Sequence, residues 1–383
     1  MPRGLYIHIP FCKTRCHYCN FISFEAPSSE FRERFFSALS EEIREAGRKF
    51  GRPSFDTVYF GGGTPSRLSV REMTGFLEKL RKNFSIPKDA EITCEWNPGD
   101  GEEEKFSILK LLGVNRISLG VQSFQDDLLS RLGRRHSVHD TVRTLEKIRK
   151  AGIDNVSFDL MLRIPGQKCA DLQKSLERCV ELSAAQVSLY DLEIHEGTPF
   201  GSMGKEGTLA LPDEDEHARM YRTAGEVLVR AGYGHYEISN FAKPGRESRH
   251  NLIYWNNQEY LGLGPGAFSY LDGTRYQFAG GVSRYLEKCE AKDWRNDQED
   301  VLSDEEQETE TFAMKLRLEE GVAPGEFPRI WPELQRRVET LLREGLFERT
   351  DEKLRLTGRG QFLSEDVFVF LLQKDSGSGG NFL

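Results

Sequence analysis

From the amino terminus to about residue 275, short apolar runs alternate with longer segments whose apolar residues recur every three or four positions and whose other side is charged. The runs at 5–9, 56–60, 91–95, 116–120, 155–160 and 186–191 predict strands. The segments at 29–50, 70–83 and 139–151 predict surface helices, because a helix turns one stripe toward the core every 3.6 residues. Strand and helix in regular succession imply an α/β fold in which a parallel sheet curls into a partial (β/α)6 barrel over residues 1–289. Sheets of this kind hold their active sites where the carboxyl ends of the strands open. The polar stretch 290–302, with Asp293-Trp294-Arg295-Asn296-Asp297 at its centre, reads as a connector. A small C-terminal winged-helix-like α+β domain is expected over 303–374: the capping box Ser303-Asp304-Glu305-Glu306 opens a helix, further helices fall near 332–344 and 358–372, and a hairpin at 346–350 and 354–357 lies between them. The Gly/Ser-rich tail 375–383 is expected to be disordered.

Composition narrows the class. The chain has 383 residues, 38% of them hydrophobic, and no apolar stretch near the ~20 residues that a membrane span requires. The opening apolar run is too short for a secretory signal, and seven cysteines, an odd number with three in one motif, argue for a reducing cytoplasmic setting. A net charge of −9 supplies no footprint for a phosphate backbone, and residues 303–372 hold sixteen acidic against ten basic side chains. No nucleic acid is therefore an expected partner, while peripheral membrane contact stays open.

The candidate chemistry begins at Cys12, Cys16 and Cys19, spaced C-x3-C-x2-C directly behind the first strand. A [4Fe–4S] cube takes four thiolates, so three from one loop would leave one iron open for a small molecule. Two rivals are weaker. The same spacing falls on one helix face, but Pro10 and the polar Lys13, Thr14, Arg15 and His17 argue for an exposed loop. A zinc site would need a second ligand pair, and Cys94, Cys169, Cys179 and Cys289 form none. Gly61-Gly62-Gly63-Thr64-Pro65 follows the second strand, where glycines let backbone approach a ligand closely. Glu95, Gln122, Arg134 and Asp159 are polar residues at or near strand ends; Asp159 is the sharpest, since a charge inside an apolar run is costly unless paired. His250-Asn251-Leu252-Ile253-Tyr254-Trp255 joins a histidine, an ordinary axial haem ligand, to aromatics that suit a porphyrin face.

The cysteine run resembles the radical S-adenosylmethionine (SAM) superfamily, and Tyr6-Ile7-His8-Ile9-Pro10-Phe11-Cys12, Gly61 to Pro65, Gly120-Val121-Gln122-Ser123-Phe124, Asp159-Leu160-Met161 and Ile164-Pro165-Gly166-Gln167 resemble the oxygen-independent coproporphyrinogen III oxidase family over nearly the whole chain. The resemblance implies a SAM pocket lined by Tyr6, Gly62, Gly63, Thr64, Glu95, Gln122, Arg134 and Asp159, with the open iron chelating SAM. Two departures separate the chain from true oxidases. Phe21 stands where those carry a fourth cysteine, and only Met1 to Gly4 precede the first strand, where they have an extension closing over substrate. Both match a subgroup resembling haem chaperones, whose H-N-x-x-Y-W motif is implicated in haem handling. Phe268 departs from that subgroup, where a histidine is expected. The expectation is a haem chaperone with a [4Fe–4S] cluster on Cys12, Cys16 and Cys19, bound SAM, haem contacted by His250, Tyr254 and Trp255, and a haem-receiving protein as partner. Its rivals are a coproporphyrinogen dehydrogenase working through a 5′-deoxyadenosyl radical and an RNA-modifying radical SAM enzyme.

Overall fold

The computed structural model describes residues 2–25 and 27–373. The tail expected to be disordered lies outside them. Six strands form the parallel centre of one sheet: β1 Gly4–Ile9, β2 Thr57–Gly62, β3 Glu91–Trp96, β4 Arg116–Gln122, β5 Asn155–Leu162 and β6 Gln186–Asp191. The sheet then grows beyond the six expected strands, through β7 Gly234–Glu237, β8 Asn240–Ala242, β9 Tyr260–Leu263, β10 Phe268–Leu271, β11 Thr274–Gln277 and β12 Gln298–Val301. The order is β12-β11-β10-β9-β1-β2-β3-β4-β5-β6-β8-β7, with β9 parallel to β1, and β10, β11, β12 and β8 added antiparallel. The stretch expected as a connector thus contains the edge strand β12. All four of its residues are exposed, so no alternation marked it.

The central strands obey a strict two-residue alternation. Leu5, Ile7 and Ile9, Val58 and Phe60, Ile92, Cys94 and Trp96, Ile117, Leu119 and Val121, Val156, Phe158 and Leu160, and Val187 and Leu189 all join one buried core. Helices supply its other half, through Phe35, Leu39 and Ile43 of Ser29–Lys49 and Met73, Phe76, Leu77 and Leu80 of Val70–Asn83. Each large aliphatic side chain so buried is worth about 1.5–3 kcal/mol. The intervening positions are mostly polar: Tyr6 and His8, Thr57 and Tyr59, Glu91, Thr93 and Glu95, Arg116 and Ser118, Ser157 and Asp159, Gln186 and Ser188. They share the opposite, inner face, since successive strand residues point to opposite sides. The sheet curls so far that Asp159 of β5 and Tyr190 of β6 act electrostatically on Tyr59 of β2. The outside of this barrel is apolar under helices and its lumen is polar.

The described residues divide into two compact units, the first comprising those up to His235, Ser239–Tyr254 and Gln258–Val301, and the second Tyr236–Ile238, Trp255–Asn257 and 302–373. The second has its own core around Phe312, Leu334, Val338, Leu341, Phe347, Leu354 and Val367, and an antiparallel hairpin, Phe347–Thr350 with Lys353–Leu356. The single helix expected at 358–372 is two, Gly358–Phe362 and Ser364–Leu372, with Leu363 between them out of helical conformation.

Candidate functional site

The three motif cysteines lie on a loop that the fold clamps from several sides. Phe11 and Cys12 pair with Phe24 and Glu25, closing its base. The His17 amide donates to Leu132 O at 3.0 Å, and the Phe200 amide donates to His17 O at 3.0 Å. The His17 ring meets Arg131 O through Nδ1 at 2.8 Å, and Tyr18 packs on a satellite core of Leu128, Leu132, Met161, Ile164, Leu192 and Phe200. Cys12 is buried, Cys16 and Cys19 are half-buried, and all three are free thiols. Burial pushes the Cys12 and Cys19 thiols up; a Thr64 hydrogen bond opposes this at Cys12, where the other two thiols add to the rise. The three sulfurs are thus near enough to feel one another, and a bound cation would be needed to ionise them together. Among the described residues no three His, Cys, Asp or Glu side chains stand as a single metal ion would draw them; a cube holds its thiolates farther apart. A positive charge is already in place, since Arg134 Nη1 donates to Cys16 Sγ at 3.6 Å. Cys16, Thr64, Asn97, Arg134 and Lys13 border a cleft of about 240 Å³. The donor set, its mutual proximity and this cleft fit a cluster held by three cysteines.

The glycine run sits against this loop by necessity. Gly62 has φ 108°, and a Cβ there would lie 2.5 Å from the His8 ring. A Cβ on Gly63 would lie 2.9 Å from the Pro10 backbone, and the Gly63 amide donates to Ile9 O at 2.9 Å. Thr64 Oγ1 lies 3.4 Å from Cys12 Sγ and accepts from Asn97 Nδ2 at 3.2 Å.

Deeper in the lumen stand two buried carboxyls. Glu95 accepts from Tyr59 Oη at 3.0 Å and from the Gly62 amide at 3.2 Å. Burial, with the Asp159 charge adding, pushes it up to about 8. Asp159 accepts from Ser118 Oγ at 3.0 Å on both oxygens and is pushed up to about 6 by burial, against the pull of that hydrogen bond and of Arg116. Tyr6 joins them: a Cβ on Gly61 would lie 3.0 Å from Glu95, Tyr59 and Tyr6 alike. Arg134 Nη2 donates to Gly120 O at 2.8 Å and to Asn97 Oδ1 at 2.6 Å, and a Cβ on Gly120 would lie 3.2 Å from both Arg134 and Gln122. Gln122 takes a left-handed φ of 63° where the register of β4 and β5 shifts. The eight residues expected around SAM therefore fall on the inner face and mouth of one barrel, beside the cysteine loop. Sequence reasoning missed Tyr59, Asn97 and Ser118, which hold them; the alternation of β2 and β4 puts Tyr59 and Ser118 on the same face and was the available signal.

Of the residues expected to contact haem, His250 is buried and Tyr254 and Trp255 are half-buried. His250 is 1% exposed, its Nδ1 lies 2.7 Å from Thr57 Oγ1 and its Nε2 lies 2.8 Å from Tyr254 Oη. The ring stacks on Tyr59 with centroids 5.0 Å apart, and burial with the nearby Arg116 charge drives it down to about 3. Both ring nitrogens are engaged within the protein. The Tyr254 hydroxyl is spent on His250, and Trp255, in the second unit, is covered by the Arg317 guanidinium 4.3 Å from its ring centroid. What lies open beside the cysteine loop is aromatic: Phe21, Phe24 and Phe268 are 65%, 41% and 38% exposed. A Cβ on Gly266 would lie 2.3 Å from Ile22, which brings the turn before Phe268 against the residue after Phe21.

A three-cysteine loop over a polar barrel lumen defines a radical SAM protein, and residues 6–179 match the Radical SAM superfamily while residues 302–363 match the HemN C-terminal domain. The heme chaperone HemW of Bacillus subtilis (strain 168) is 36% identical over 96% of this chain and 98% of its own length. The mitochondrial radical S-adenosyl methionine domain-containing protein 1 of Mus musculus is 34% identical over 96% of this chain and 87% of its own. The chain belongs to the radical SAM haem-chaperone family. Coproporphyrinogen III oxidase (HemN) from Escherichia coli shares the fold, with a TM-score of 0.84 over 97% of this chain and 90% of that one, at 21% identity. The superfamily implies a [4Fe–4S] cluster and SAM. No helix among the described residues is long and apolar enough to cross a membrane.

Proposed function

We propose that this chain holds a [4Fe–4S] cluster on Cys12, Cys16 and Cys19, binds SAM across the glycine run and the lumen mouth, and carries haem on the adjacent aromatic rim for delivery to a recipient protein. The observation that carries this is the exposed Phe21, Phe24 and Phe268 beside a three-thiol loop, with no thiol in the fourth place. Exposed aromatic clusters mark binding surfaces, and ring faces suit a porphyrin. When bound, the cluster supplies an open iron for the amino and carboxylate groups of SAM. The chain's own part is to orient: Thr64 and Arg134 steady Cys12 and Cys16, while Glu95 and Asp159 offer buried acceptors to ligand hydroxyl and amino groups. His250 supports this wall from behind through Thr57 and Tyr59.

Anaerobic reconstitution should give about four irons per chain, and none in a Cys12, Cys16 and Cys19 triple alanine variant. Haem should then titrate to about one equivalent by its Soret band. Replacing Phe21 and Phe268 together by serine should weaken haem at least about tenfold, from apolar area lost. His250→Ala should lower stability by about 2–4 kcal/mol and leave haem affinity unchanged, because it strands Thr57 and Tyr254 without touching the rim. Coproporphyrinogen decarboxylation at about 1 s⁻¹ or faster, with no haem affinity, would overturn the proposal in favour of the oxidase.

A further inference from the structure

Below Glu95 and Asp159 the lumen has a storey that the cluster, SAM and haem reading leaves unused. Thr93 of β3, Arg116 of β4 and Asn155 of β5 stand directly opposite one another across adjacent strands. Thr93 is 0% and Arg116 1% exposed. Arg116 Nε and Nη2, Thr93 Oγ1 and Asn155 Oδ1 are all buried without a hydrogen-bond partner. Three neighbours in one row of one face share this condition, which points to a missing common partner, since buried polar groups in native proteins are paired almost throughout.

The free groups indicate its chemistry. A guanidinium stays charged, and its Nε–H and Nη2–H point the same way, forming the edge that takes the two oxygens of one carboxylate. The chain's own carboxylates on this face are committed elsewhere. Glu91 accepts from the Arg249 and His250 amides, Glu95 from Tyr59 and Gly62, and Asp159 from Ser118. Arg116 acts electrostatically on Asp159 but makes no hydrogen bond to it, and buried donors left unpaired are costly. His250, held neutral, adds no second cation to the storey.

We propose that the row Thr93–Arg116–Asn155 binds a carboxylate, taken side-on by Arg116 Nε and Nη2 with the Thr93 hydroxyl as third donor. The Asn155 amide, whose two ends are assigned by their partners alone, turns its NH2 inward to complete the set. Two sources present this group: a propionate arm of a porphyrin, or a small free acid. Only the first rests on the haem reading above.

Two titrations on the full chain separate them, each in wild type, Arg116→Gln and Thr93→Val. In the first, haem is compared with haem dimethyl ester; in the second, acetate is titrated against thermal midpoint. If a propionate is the occupant, wild type prefers haem over its ester by about tenfold or more, the worth of a charge-assisted hydrogen bond, and Arg116→Gln abolishes the preference. If a free acid is the occupant, haem and ester bind alike, while acetate raises the wild-type midpoint saturably and leaves that of Arg116→Gln unmoved. Should Arg116→Gln fail to fold, Thr93→Val, which keeps the cation and the volume, decides by the same titrations with a smaller loss. Failure of haem to bind wild type would sink the haem reading and leave the acetate arm to decide this one. Equal behaviour of wild type and both variants in both titrations overturns the proposal.

Discussion

At the residue scale, the site is built of acceptors that the protein keeps reluctant to ionise. Glu95 sits at about 8 and Asp159 at about 6, each raised first by burial. Native Glu95 therefore keeps a proton that an unfolded chain sheds near its ordinary value of 4.5. Wherever the unfolded state binds fewer protons, stability falls as pH rises. Stability should decline from about pH 4.5 to about pH 8, and Glu95→Gln, equal in shape and neutral throughout, should flatten that decline. Urea midpoints across the range test this; parallel slopes in the two proteins would contradict it. Residue identity alone separated well the groups whose chemistry is local. The placing of three cysteines on one loop and the burial of Asp159 were legible, whereas the surroundings of His250 were not: a histidine in an aromatic run looks alike whether its nitrogens are free or, as here, held by Thr57 and Tyr254.

At the scale of elements, the strands were legible because alternation is their own property. Their expected ends agree with the structure to within a few residues, and the errors lie where pattern fails. β4 runs past 120 because Gln122 pairs with Leu160 after a register shift that apolar periodicity cannot show, and β5 runs past 160 because Met161 and Leu162 pair with Tyr190 and Asp191 of β6. β12 has no buried residue to betray it, and its place along β11 is set by backbone pairing. The turn after β2 shows how tightly element and site are joined. Alanine at Gly62 would combine a left-handed φ, costing about 1–2 kcal/mol, with a methyl group inside the His8 ring. His8 would have to leave Ile22 O, which it meets at 2.8 Å, and so release the far end of the cysteine loop. Gly62→Ala should fold with a lowered midpoint and retain less than half the iron of wild type on reconstitution, measured by iron analysis; full iron loading would show the loop to be independent of the turn.

At the scale of the molecule, two units are woven from one chain. Ile238 belongs to the apolar core of the second unit and Trp255 to its Arg317 contact, although both precede Leu302 in sequence. A chain ending at Val301 should therefore express with lower soluble yield and bind a hydrophobic dye more strongly than the full chain, while Ile238→Ser and Trp255→Ser together should recover part of the loss. Equal yield and dye binding for the truncated and full chains would show these residues to be well accommodated without their partners. The two-faced barrel carries a last consequence, for the way the chain finds its fold. Slipping any central strand by one residue would drive its lumen groups, Glu95, Arg116 or Asp159 among them, under the helices and turn leucines and valines into the lumen. The same charges that make the interior a place for ligands thus also fix the register of the sheet, since every odd-numbered slip would bury them under the helices.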